Sequence, residues 1–294
     1  MNLLQAPRQP SDVRGLFYAD FNQDYGCFAV GLKSGFRIFN CDPLEETKRH
    51  GKYCCCHHYH TTRGIGTVSM LYRTNYIALI GGGSNPRFPL NTVIIWDDAK
   101  EKEVIRLEFR SEVKNVKLLR ERMVIVLQDR VYVYTFSAQP KKLYMFETPH
   151  NDKGLVAVAS SRSMSVLAFP GQQPGHIQVV DLGHMSNMLT NKLTIMAHTA
   201  TLGYLAMSQN GQLIASASEK GTLIRVFDTQ SGRILHEFRR GADRAAIYSI
   251  AFSADATRLC VASDKGTIHI FNLDASTLPA SPTAARLSSD DATR

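Results

Sequence analysis

Two adjacent arginines, Arg239 and Arg240, stand between two copies of one hydroxyl- and lysine-bearing turn, Ser218-Glu-Lys220-Gly221-Thr222 and Ser263-Asp-Lys265-Gly266-Thr267. Successive side chains on a strand point to opposite faces. If Phe238-Arg239-Arg240-Gly241 ends a strand, the two guanidiniums diverge, each toward a different turn. A guanidinium fork, serine and threonine hydroxyls and turn amides together bind phosphate oxygens well. The pattern therefore describes two anion pockets, one on each side of a strand end.

The turns belong to a repeat. Ser208-Gln-Asn-Gly-Gln-Leu-Ile-Ala-Ser-Ala-Ser218 and the segment through Phe227 match Ser253-Ala-Asp-Ala-Thr-Arg-Leu-Cys-Val-Ala-Ser263 and the segment through Phe271, at a spacing of 45 residues. That is the period of a four-stranded propeller blade, about 40–45 residues. A diverged copy runs from Phe21 to Phe39. In the last copy the spacing predicts strands over Ile250–Ser253, Leu259–Ala262 and Thr267–Phe271. Further β-branched and aromatic runs at 76–80, 93–97, 123–127, 131–136, 165–169 and 176–181 predict an all-β chain. The pairs Trp96-Asp97 and Phe227-Asp228 fall where the repeat's Trp-Asp dipeptide sits and are expected to cap third strands.

The 294 residues are 44% hydrophobic and 20% charged, an ordinary globular composition. The 34 Lys and Arg against 26 Asp and Glu give a net charge of +8, which favours acidic partners. The basic residues are dispersed and no aromatic-plus-basic RNA module is visible, so no nucleic-acid partner is expected. Six cysteines, three of them contiguous at 54–56, suit a reducing compartment better than a disulfide framework. Neither a signal peptide nor an apolar run of the roughly 20 residues that span a bilayer occurs, so membrane contact is expected to be peripheral. The cluster Tyr53-Cys54-Cys55-Cys56-His57-His58-Tyr59-His60 holds contiguous potential ligands rather than spaced pairs, and a variable loop without metal is expected. With no nucleophile elbow, P-loop or dinucleotide fingerprint (Gly81-Gly82-Gly83 does not match one), neither an enzyme nor a cofactor is expected.

Phe238-Arg239-Arg240-Gly241 set between the two turns resembles the PROPPIN family of phosphoinositide-binding, WD-repeat propellers. Phe21-Asn22-Gln23-Asp24, Gly81-Gly-Gly-Ser-Asn-Pro86, Val93-Ile-Ile-Trp96-Asp-Asp98, Asn151-Asp-Lys-Gly-Leu155, Ala168-Phe-Pro-Gly171 and Gly221 to Thr229 agree with it. The most similar subgroup is that of the third and fourth human members. The resemblance implies a WD40-type β-propeller over residues 15–273. The family's ring has seven blades, and here blades six and seven are expected to be incomplete. It also implies binding of phosphatidylinositol 3-phosphate and phosphatidylinositol 3,5-bisphosphate and recruitment of autophagy machinery. The first pocket would use Ser216, Ser218, Gly221, Thr222, Arg225 and Arg239, with Lys220 and His198. The second would use Arg240, Ser263, Thr267 and His269, with Lys265. With a one-residue gap, His269 takes in its blade the place of Arg225.

Asn22 and Asp24, with Arg87 and Phe88, would by resemblance meet an Atg2-type lipid-transfer protein; the alternative for Asn22 and Asp24 is a plain hairpin turn. A cytoplasmic monomer bound peripherally to autophagosomal-precursor and endolysosomal membranes is expected. Residues 1–14 and the Ala/Ser/Thr/Pro-rich 274–294 are expected to be flexible. The latter would begin a blade-six membrane loop, with Leu278 and Leu287 as its apolar candidates. A propeller scaffold that binds only proteins is the second functional class.

Overall fold

A computed structural model describes residues 15–51, 63–159, 165–183 and 192–273. The 1–14 and 274–294 segments and the Cys54–His60 cluster lie outside them. Within the described residues all regular structure is β, in six antiparallel meanders whose sequence neighbours pair. The chain divides into two compact units, Met1–Leu155 and Val156–Arg294.

The first unit holds three sheets. These are β1 (Leu16–Phe21), β2 (Cys27–Leu32), β3 (Gly35–Cys41) and β4 (Leu44–His50); β5 (Ile65–Met70), β6 (Tyr76–Gly81), β7 (Thr92–Asp97) and β8 (Lys102–Glu108); and β9 (Val113–Leu118), β10 (Arg122–Leu127), β11 (Arg130–Thr135) and β12 (Lys142–Glu147). The second sheet shows why the strands read as apolar runs. Ile77 and Leu79 of β6 pack against Ala29 and Phe36 of the first sheet. The alternate residues Ala78 and Ile80 pack against Val116, Met123 and Ile125 of the third. A middle strand buried on both faces loses its polar alternation.

The second unit holds β13 (Ala157–Val158), β14 (Val166–Pro170), β15 (His176–Asp181) and β16 (Lys192–Met196); β17 (Leu202–Met207), β18 (Leu213–Ser218), β19 (Leu223–Asp228) and β20 (Ile234–Arg239); and β21 (Ile247–Phe252), β22 (Arg258–Ser263) and β23 (Ile268–Asn272). Each meander is one blade, and the fold is an all-β propeller. The last sheet has three strands among the described residues.

The Trp-Asp and Phe-Asp positions close third strands as expected. Asp97 Oδ1 accepts from the amides of Ala99 and Lys100 at 3.1 and 3.2 Å. Asp228 Oδ1 accepts from those of Gln230 and Ser231 at 3.1 and 2.6 Å. Each carboxylate thereby orders the turn that returns the chain to the outer strand. Gly81 ends β6 where a Cβ would lie 1.9 Å from the Phe88 carbonyl oxygen, so the glycine run serves close packing.

Candidate functional site

The arginine pair marks a strand end: Arg239 is the last residue of β20 and Arg240 follows it. The two side chains do diverge, into different environments. Arg239 is exposed and makes no hydrogen bond or ion pair with a described residue. Arg240 is 8% exposed. Its Nε donates to the Gly221 carbonyl at 2.7 Å and its Nη2 to the Asp243 carbonyl, while its amide donates to the Thr222 carbonyl at 2.9 Å.

Strand register assembles the first pocket. Ser216 pairs with Arg225, Arg225 with Glu237, Leu223 with Arg239 and Ser218 with Leu202. Cross-strand partners share a face, as do residues two apart. Ser216, Ser218, Arg225 and Arg239 therefore lie on one face of the fifth sheet. The opposite face carries Ala215, Ala217, Ile224 and Val226, buried against Ile250, Phe252, Leu259 and Val261 of the sixth sheet. The polar face is turned toward His198, which follows β16 of the fourth sheet; His198 Nε2 lies 2.9 Å from Ser216 Oγ, with both residues buried. Thr222 and the exposed Lys220 belong to the turn at its end, which Gly221 makes at φ +62°.

One participant is not in the sequence motif. Glu237 Oε2 accepts from Arg225 Nε at 2.7 Å, and Arg225 Nη1 donates to the Ala197 carbonyl. Arg225 is thus held in place by protein groups, and Arg239 is the uncommitted guanidinium of this face. The residue spacing of His236-Glu237-Phe238-Arg239 puts 237 and 239 on one side of a strand, which is the only sequence signal for Glu237.

Burial, then the nearby Arg225 charge, push His198 down to about 4; its bond to Ser216 and the Glu237 carboxylate offset this only in part. The ring is therefore neutral at physiological pH. Since the folded value lies below the ordinary 6.5, the unfolded chain takes up the proton first, and stability falls as pH drops from about 6.5 toward 4. Acidification from pH 7 to 5 is expected to cost about 2 kcal/mol through this residue. Chemical denaturation at both pH values checks it. His198→Gln should flatten the difference, and an equal pH effect in wild type and variant would remove the assignment.

The second pocket lies on the sixth sheet's face toward the fifth. Val261, in the shared core, pairs with His269, just as Ser216 pairs with Arg225 in the preceding blade. The one-residue gap is real: Ala217 pairs with Ile224, whereas its repeat counterpart Ala262 pairs with Ile268, one residue sooner than the 45-residue spacing gives. Ser263 is buried at the end of β22, and its Oγ accepts from the Lys265 amide at 3.4 Å. Thr267 Oγ1 lies 3.1 Å from His269 Nε2. Phe238 and Phe271 stack at 4.5 Å between the sheets, with His269 next along the stack at 6.2 Å from Phe271. Lys265 is exposed.

In the first unit, Asn22 is buried and closes the β1–β2 turn. Its Oδ1 accepts from the Cys27 amide at 3.1 Å and its Nδ2 donates to the Tyr72 carbonyl at 3.2 Å. Asp24 is held in an exposed pair with Arg73 at 3.1 Å. Arg87 is packed over Trp96 and Phe88 at 5.4 and 5.5 Å from their centroids, and burial, followed by the Arg63 charge, lowers its pKa. Asn22→Ala is expected to destabilise by about 1–3 kcal/mol, because two backbone groups lose their partner. Asp24→Ala should cost less than about 0.5 kcal/mol. Thermal melts of the two variants would separate them, and equal melting temperatures would contradict the internal role of Asn22.

Cys27, Cys41 and Cys260 are free thiols. No helix among the described residues is long and apolar enough to cross a membrane.

The PROPPIN family model matches residues 15–288. SVP1-like protein 2 of Pichia angusta is 45% identical over 259 residues, covering 87% of this chain and 69% of that protein. The protein of the same name from Saccharomyces cerevisiae is 40% identical over 276 residues, covering 86% and 61%. The chain therefore spans between 61% and 69% of the length of these two relatives. Among solved structures, Kluyveromyces lactis Hsv2 with a complete loop 6CD is similar at a TM-score of 0.74 and 29% identity, over 90% of this chain and 75% of that one. A complex of KlAtg21 with the coiled coil of AgAtg16 is similar at 0.73 and 27%, over 89% and 82%.

Proposed function

The chain belongs to the PROPPIN family, and from that premise we propose that it is a phosphoinositide effector. It reads phosphatidylinositol 3-phosphate and phosphatidylinositol 3,5-bisphosphate through two pockets and brings autophagy machinery to the membranes that carry them. The family is a non-enzymatic class of lipid-binding and scaffold propellers, so the site is read as a recognition surface.

The observation that carries the reading is the divergence of Arg239 and Arg240 at one strand end. One arginine is uncommitted beside Ser216, Ser218 and Arg225. The other is fixed beside the turn that leads to the blade bearing Ser263, Thr267 and His269. Hydroxyls and guanidiniums converging on a glycine-shaped turn suit the phosphates of an inositol ring. Two modest pockets on one unit gain avidity on a lipid surface, and lysines such as Lys220 and Lys265 each add roughly 1 kcal/mol near an anionic leaflet. The membranes are those of autophagosomal precursors and the endolysosomal system, and the contact is peripheral.

A protein partner is part of the proposal. The similarity to a propeller solved in complex with a coiled coil supports a protein-docking surface. An Atg2-type partner would use the accessible Asp24 rather than the internal Asn22. Vesicle sedimentation tests the lipid reading. The chain should pellet with vesicles containing the 3-phosphate lipid and stay in solution with vesicles containing unphosphorylated phosphatidylinositol. Equal pelleting on both would replace specific recognition by general charge attraction, and pelleting on neither would favour the protein-only scaffold.

A further inference from the structure

Arg240 does more within the fold than present a charge. Three of its nitrogens are used on backbone carbonyls: its amide on Thr222, Nε on Gly221 and Nη2 on Asp243. Thr222 and Gly221 are the turn of the first pocket. Asp243 belongs to the connection between β20 and β21. That connection is laced to the same turn a second time, by the Ala245 amide to the Lys220 carbonyl at 3.1 Å. It is then tied to the second pocket's turn, where the Ala246 amide donates to Asp264 Oδ1 at 3.1 Å and the Asp264 amide to the Ala246 carbonyl at 3.0 Å. A continuous run of hydrogen bonds thus leads from one Ser-x-Lys-Gly-Thr turn to the other, with a buried guanidinium at its centre.

We propose that Arg240 is a positioning residue that couples the two headgroup pockets, bracing the turn of the first through Gly221 while its charge serves the second. The inference rests on the phosphoinositide reading and deepens it. A buried guanidinium bonded to carbonyls is costly to disturb, because removing it leaves those carbonyls without partners. The first pocket's turn therefore depends on a residue that the phosphoinositide reading assigns to the second pocket. By linkage, an anion that pulls on Arg240 in the second pocket must change affinity in the first, and the reverse.

The test uses soluble inositol 1,3-bisphosphate and calorimetry, so that membrane avidity plays no part. Wild type should bind two equivalents. Ser263→Ala/Thr267→Ala/His269→Ala, which keeps Arg240, should bind one, at the first pocket. Adding Arg240→Ala to that background can then act only on the first pocket, and should weaken it about tenfold. Arg240→Lys reaches one carbonyl instead of two and should fall between, a partial rescue. Ile250→Val, a core loss away from both turns, should lower the melting temperature without changing this affinity, which separates positioning from general destabilisation. An affinity unchanged within about twofold in Arg240→Ala, or in Arg240→Lys if the alanine variant does not fold, overturns the coupling and leaves the lipid reading standing. Absence of any headgroup binding to wild type overturns the lipid reading itself. A stoichiometry that stays at two in the triple variant removes the second pocket and the coupling with it.

Discussion

Replacing both Arg239 and Arg240 by alanine should lower partitioning onto vesicles carrying phosphatidylinositol 3-phosphate by at least about 100-fold. The size follows from the bonds removed: a hydrogen bond to a charged group contributes roughly 1.5–3 kcal/mol, and each pocket loses one guanidinium, in the first pocket the one that no described protein group holds. Losing both pockets also removes avidity, so the double variant should fall further than the product of headgroup affinities implies. The single variants should separate into two kinds. Arg239 is exposed and makes no bond to a described residue, so Arg239→Ala should bind about tenfold more weakly and melt like wild type. Arg240 is buried on two carbonyls, so Arg240→Ala should lose both lipid affinity and melting temperature. Vesicle sedimentation with parallel thermal melts reads all three. A double variant that still pellets with the 3-phosphate lipid would end the two-pocket reading.

The sequence disclosed the fold best where strands are buried on both sides. Tyr76-Ile-Ala-Leu-Ile80 and Met123-Val-Ile-Val-Leu127 lie in β6 and β10, where Ile77 to Ile80 and Met123 to Leu127 are all buried, on both faces of the strand. Outer strands lack that signal, and only the end of β20, at Phe238-Arg239-Arg240-Gly241, is marked in the sequence. The exposed run Leu44-Glu-Glu-Thr-Lys-Arg-His50 has no apolar face, and its strand state comes from backbone pairing with β3. The last blade's first strand starts three residues before the expected Ile250, at Ile247, because a register shift between Ile247 and Ser249 interrupts the alternation. The pockets follow the same division. The repeated turns were visible because they are local. The grip of Glu237 on Arg225, the pairing of His198 with Ser216 and the burial of Arg240 depend on which strands lie side by side, and no single segment contains that information.

The second large effect is expected at Gly221, and its repeat partner Gly266 is the control. Both have positive φ, +62° and +73°. A side chain in that region costs about 1–2 kcal/mol by itself. The surroundings differ. A Cβ on Gly221 would sit 1.9 Å from the Ala245 carbonyl oxygen, whereas one on Gly266 would meet nothing within 4 Å. Gly266→Ala should therefore cost about 1 kcal/mol and leave lipid binding nearly intact. Gly221→Ala should cost about 3 kcal/mol or more, since backbone rather than a flexible side chain must move. The moving carbonyl is on the connection that Arg240 and the Ala245 amide hold against this turn, so both pockets should weaken together. Chemical denaturation and vesicle sedimentation of the two alanine variants make the comparison. Equal losses would mean that the left-handed backbone alone sets the requirement for glycine, and that the close approach of Ala245 does not organise the site.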